Sequence, residues 1–267
     1  MGSVRSPAVA GAFYPADAEA LRAAVDELLA AGEPAQVDVD PVLLIVPHAG
    51  YGYSGPVAAT AYRLLRAMPE PKRRVVLVGP SHFVAVSGVA TPGVTGLETP
   101  LGVAAVDGEL AAAAEAHPVV APGPTVHARE HSLEVQLPFL QRVFGELTVL
   151  PLLTGEVGYQ EVAAVLDEAL DAGGVMAVIS TDLSHYLDAS AARRRDAATA
   201  AAIVDLRPED LEWDDACGRT GLQAALLVAR SRGWACRLLD LRNSGDIAGP
   251  MEQVVGYGAF AVGPTAA

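Results

Sequence analysis

Six histidines occur in the 267-residue chain, and three of them follow apolar β-forming runs almost directly. Residues 42–46 (VLLIV) lead into Pro47-His48. Residues 74–78 (RVVLV) lead into Gly79-Pro80-Ser81-His82, and residues 175–180 (VMAVIS) into Thr181-Asp182-Leu183-Ser184-His185. In open α/β sheets, ligands bind beyond the carboxyl ends of the strands. Parallel neighbours would gather all three imidazoles along one edge. A histidine taken singly is as readily a hydrogen-bonded core residue. Imidazole is also the commonest metal ligand and the commonest acid/base near neutral pH. Two of the three suit a metal, and the third suits either ligation or proton transfer.

A site with two histidine ligands needs an anionic third ligand and open positions for substrate. The candidates are Asp182, Glu130, Asp246 and Cys217. Cys217 precedes an apolar-periodic helix, where the helix dipole is expected to lower a thiol pKa. Cys236 lies in an apolar strand and reads as core. A competing pattern is His127-Ala128-Arg129-Glu130-His131, the inverted zinc-protease spacing, in which both histidines bind zinc. Pro124 upstream and a helical period starting only at Ser132 place that pair on an entry loop. His131 is then expected to line the cleft as a substrate- or proton-handling residue, and Glu130 to line it beside the substrate. Tyr51, Tyr53 and Tyr186 are placed to stack on a ring or bond to it, or to be buried structural tyrosines.

The elements that must position these residues alternate. Helices are expected over 17–31, 56–68, 107–116, 158–171, 190–204 and 216–232. A further helix over 132–144 should be kinked by Pro138. Strands are expected over 42–46, 74–78, 86–90, 147–152, 175–180, 235–241 and 254–262. Apolar strands alternating with helices predict a single α/β domain, its mostly parallel or mixed sheet covered on both faces.

Composition narrows the partners. The chain is 51% hydrophobic, 19% charged and carries a net charge of −14. An acidic surface argues against nucleic acid, and the run Arg193-Arg194-Arg195 reads as a solvated helix face. Two cysteines make no disulfide framework, so a reducing cytoplasm is the expected location. No run reaches transmembrane length, and no membrane partner is expected.

The segments RSPAVAGAFYP (5–15), PHAGYGYSG (47–55), GPSH (79–82), EHSLEVQLPFL (130–140), STDLSHY (180–186), CGRTG (217–221), NSGD (243–246) and VGYGAF (255–260) together resemble the Memo-like family. In bacteria and archaea its members are often labelled AmmeMemoRadiSam system protein B. The resemblance spans nearly the whole chain, in order. It implies the fold of the class III extradiol, LigB-like, non-haem iron dioxygenases. Carried over, His48 and His82 match the metal histidines, and Cys217 stands where those dioxygenases have glutamate. Asp182 and His185 match an orienting aspartate and an acid/base histidine. The implied cofactor is Fe(II), with copper second and zinc third. A thiolate is softer than a carboxylate and is oxidisable, so ring cleavage does not carry over automatically. The implied function is O2-dependent oxidation of a small organic substrate, or metal or partner binding without turnover. The family label also implies association with a radical SAM enzyme and an AMMECR-type protein.

Overall fold

The computed structural model describes residues 3–68 and 72–266. In chain order the elements begin with β1 (Val4–Arg5), α1 (Ala18–Ala30), β2 (Leu43–Val46), α2 (Gly55–Arg66), β3 (Arg74–Pro80), β4 (Val89–Thr91), β5 (Gly96–Thr99) and β6 (Gly102–Val106). There follow α3 (Gly108–Glu115), β7 (Val120–Pro122), α4 (Pro124–His127), α5 (Leu137–Phe144), β8 (Thr148–Thr154), α6 (Tyr159–Asp171) and β9 (Val175–Ser180). The chain closes with β10 (His185–Leu187), α7 (Ala189–Val204), α8 (Arg219–Ser231), β11 (Ala235–Asn243), α9 (Ser244–Ile247) and β12 (Val254–Gly263).

The central sheet runs β1-β5-β6-β8-β3-β9-β2-β12-β10, with β11 also on β12 and β4 on β8 and β7. Strands β6, β8, β3, β9 and β2 pair in parallel, while β12 joins β2 antiparallel. The sheet is therefore mixed, in a single α/β domain. The parallel strands are apolar throughout because both faces are covered. Leu43, Ile45, Val76, Val78, Ala177 and Ile179 face one core, with α3, α6, α7 and α8. Leu44, Val46, Val75, Leu77, Met176 and Val178 face the other, with α1, α2 and α5. Successive residues of a strand point to opposite faces, so each run feeds both cores.

Register sets the level of the strand ends. Val46 pairs with Ser180, and Val78 with Ile179. The turns carrying His48, His82 and Asp182 thus leave the sheet side by side.

Two local expectations are corrected. The segment 132–144 is not one kinked helix: a 3-10 turn (Glu134–Gln136) precedes α5, and Pro138 lies in the first turn of α5. There its missing N–H breaks no helical bond. Strands β1, β5, β6, β7 and β10 lie outside the predicted set. They are two to five residues long, with little periodicity to read. No described helix is long and apolar enough to cross a membrane.

Candidate metal centre

Nitrogens of His48, His82 and His131 all lie within 4.8 Å of one another. The His48 ring meets the other two edge-on, with centroids 5.2 and 5.5 Å away, and His82 stacks on His131 at 4.7 Å. Each ring is placed by a different element. His48 follows β2, His82 follows β3, and His131 lies between α4 and the 3-10 turn.

The hydrogen bonds preset two tautomers. Ser180 Oγ donates its only proton to the Ser132 carbonyl at 2.5 Å. It must therefore accept from His48 Nδ1, 3.1 Å away, and from Gln136 Nε2 at 2.8 Å. That makes His48 Nε2 the acceptor, facing Cys217 Sγ at 3.3 Å. Glu130 Oε1 lies 2.9 Å from His82 Nδ1. Glu130 also accepts the backbone N–H groups of His82, His131 and Ser132 at 2.6, 2.9 and 2.9 Å. Burial opposes its ionisation, but these bonds outweigh it and hold the carboxyl at about 2. An ionised Glu130 only accepts, so His82 Nδ1 carries the proton and Nε2 is free. Carboxylate- and hydroxyl-buttressed imidazoles are the usual surroundings of metal-ligating histidine. His131 Nδ1 is buried without a hydrogen bond among the described residues, although Glu130 Oε1 is 3.3 Å away.

Burial, reinforced by the neighbouring imidazoles, pushes the His48 pKa well below its ordinary value, and burial also lowers His131 and His185. Neutral imidazole is the form that binds a metal.

Cys217 joins from the turn before α8. Its Sγ is 3.3 Å from His48 Nε2 and accepts the Asp182 N–H at 3.3 Å. The sulfur thus flanks the imidazole group without belonging to its mutual 4.8 Å set. The expected helix-dipole activation is overturned. Burial, then the Asp182 charge, push the thiol up to about 12, so without a metal it is a protonated S–H. Glycine at 218 lets this turn approach the sheet. A Cβ there would lie 2.8 Å from Thr181 Cβ and 2.9 Å from the Ser180 carbonyl oxygen.

The other anionic candidates are already engaged. Glu130 carries the four bonds described. Asp182 Oδ1 accepts the His48 N–H at 2.7 Å, and its carboxylate also takes the Ala49 N–H; burial raises its pKa to about 7. Asp246 caps α9 and pairs with Arg193, 2.5 Å away. The pairing expected between Asp182 and His185 is absent among the described residues. Asp182 therefore shapes the His48 turn. His185 shares a cavity of about 400 Å3 with Cys217 and Trp213.

His127 and His131 do not form a zinc pair. His127 is buried with Nε2 on the Ala90 carbonyl at 2.8 Å. Tyr51 is also engaged, donating its hydroxyl to the Val135 carbonyl at 2.7 Å. Tyr53 and Tyr186 are exposed, and Tyr186 sits beside His185 with left-handed backbone (φ 59°). Sequence reasoning missed Ser180 and Gln136, which hold His48 and the Pro47 carbonyl. It also missed Phe13, which packs 4.8 Å from His131. The segments quoted above contain all three, but sequence order does not show who touches whom.

The fold and this site define an α/β protein with an imidazole cluster at the carboxyl edge of its sheet, His48 buried and His82 open to solvent. A Memo-like protein family model matches residues 5–261, and the chain belongs to that family. A MEMO1 family protein of Aquifex aeolicus is 38% identical over 95% of this chain and 97% of its own length. One from Methanopyrus kandleri is 38% identical over 96% and 98%. Among solved structures, an uncharacterized protein from Escherichia coli K12 superposes with a TM-score of 0.51 at 14% identity, covering 83% of this chain and 100% of that one. That likeness concerns the fold alone.

Proposed function

We propose that the chain is a metal-dependent redox protein, a non-haem iron oxidoreductase that acts with O2 on a small organic substrate. His48 and His82 would hold the ion through Nε2, and Cys217 would be its anionic ligand. The observation that carries this reading is the group of three imidazoles, two with their tautomers preset, beside a half-buried thiol. The donor set suits iron, copper and zinc. Iron is favoured by the resemblance of the motifs to extradiol enzymes. When bound, iron would supply the electron chemistry that O2 requires.

The chain's own residues do the rest. Glu130 and Ser180 hold the two ligating rings. His131, packed against both, handles protons at the open side, and His185 serves the cavity beyond Cys217. The experiment is anaerobic purification with elemental analysis, followed by oxygen uptake with a phenol and catechol panel. One iron per chain and substrate-dependent uptake are expected. Full iron occupancy in Cys217→Ser would remove the thiolate from the site. Loss of iron in His131→Ala as complete as in His48→Ala would make His131 a ligand.

The thiol beside the imidazoles favours a second reading, a protein that holds copper or iron without turnover. Cu(I) binding with no oxygen uptake on any of the panel would establish it.

A further inference from the structure

A cavity of about 570 Å3 opens beside the proposed metal site. Its lining includes His82 and Cys217, and with them Ser81, Thr154, Trp213 and Arg219. The volume is that of a small-molecule site. Two of the proposed metal donors therefore share a chamber with a guanidinium.

Four arginines on or next to α7 and α8 are paired with carboxylates. Arg195 bonds to Asp215 at 2.8 Å, Arg193 to Asp246 at 2.5 Å, Arg230 to Glu209 at 3.0 Å and Arg232 to Asp167 at 2.6 Å. Arg219 differs. Its Nε is buried and has no hydrogen-bond partner among the described residues. Its guanidinium carbon lies 5.3 Å from the centroid of the Trp213 ring. The indole thus makes a cation–π contact that uses none of the guanidinium's N–H donors. Glu156, the one carboxylate in the described lining, is exposed. A chain with a net charge of −14 has carboxylates to pair with, yet this arginine has no ion-pair partner among the described residues.

We propose that Arg219 is a specificity-determining residue that takes the carboxylate of a small organic acid. Trp213 steadies the guanidinium, and the remainder of the acid extends toward His82 and Cys217. One guanidinium edge matches a monoanionic carboxylate in two parallel hydrogen bonds. The inference deepens the metal-site reading and rests on it for where the far end of the acid lies. The arginine–carboxylate contact itself needs no metal.

The test uses isothermal titration calorimetry on the full chain, metal-loaded and metal-free. The probes are phenylacetate, its neutral isostere phenylacetamide, and phenyl phosphate. We expect phenylacetate to bind at least tenfold more tightly than the amide. Arg219→Gln should bring the acid to the affinity of the amide, and Arg219→Lys should retain part of the preference. Metal content and thermal midpoint of Arg219→Gln should equal those of the unaltered chain. Equal binding of acid and amide, or no binding of the acid, overturns the proposal. So do tighter binding of phenyl phosphate, a preference that survives Arg219→Gln, and loss of metal in that variant. A preference kept in the metal-free protein supports Arg219 even where the metal analysis fails, which separates the two readings.

Discussion

The Cys217 thiol lies 3.3 Å from His48 Nε2 although 169 residues separate them. The sulfur must carry a proton in the metal-free chain, because burial pushes its pKa up to about 12. A metal ion that binds the sulfur binds it as thiolate. Loading the ion at neutral pH should therefore release one proton from this residue. Calorimetry in buffers of different ionisation enthalpy measures that proton, and Cys217→Ser should abolish it. Release that is unchanged in the serine variant would place the ion elsewhere.

Glu130 fixes the His82 ring and the backbone of three residues. Glu130→Gln retains the shape but loses the charge that orders those donors. Loss of such a buttress weakens metal binding by about 10–100-fold. Competition with a chelator of known affinity reads the change. Unaltered affinity would show that the carboxylate has no part in presenting His82.

The N-terminal segment is tied to the site by a buried ion pair. Arg5 Nη1 reaches Glu134 at 2.6 Å, while Nε and Nη2 donate to the carbonyls of His127 and Glu130 at 2.6 Å each. Glu134 also accepts from Tyr14 Oη at 2.5 Å and from the N–H groups of Ala8 and Val9 at 2.7 and 3.0 Å. Arg5→Met leaves the carboxylate buried with its main partner gone. The expected loss is about 3–5 kcal/mol in denaturant unfolding. A loss below ~1 kcal/mol would count against a structural role for the pair.

Asp107 gives the chain an acid-sensitive anchor remote from the site. It receives Arg74 at 2.7 Å, caps α3 through the Leu110 N–H at 3.1 Å and accepts from Thr148 at 3.0 Å. The Arg74 hydrogen bond, against some burial, lowers its pKa to about 2. Its unfolded value is about 3.9, so the unfolded chain takes up the proton first as pH falls. The stabilisation is complete above about pH 4 and disappears as pH falls through 2. Discounted for the partly exposed Arg74, it amounts to about 1–2 kcal/mol. Asp107→Asn should lower stability by that amount at pH 7, with the gap closing at pH 2. A gap of equal size at both pH values would assign the loss to the cap geometry alone.

The alternating apolar runs, the helix over Asp17 to Ala31, and the family motifs were all legible in the residue order. Local sequence decides these features, because period, capping and turn chemistry act over a few neighbours. That reasoning placed His48 and His82 at level strand ends, where they are found. It also set His185 at the third strand end and His131 in the cleft lining, whereas the ring within 4.8 Å of His48 and His82 is that of His131. Only the tertiary structure decided that His131 stacks on His82, that Asp182 holds the backbone of His48, and that Tyr51 is already engaged. Only it showed that Cys217 is desolvated where the local helix start suggested activation. The physical reason is that a pKa, a tautomer or a vacant hydrogen bond depends on what surrounds a group in three dimensions. Those surroundings come from segments far apart in the chain.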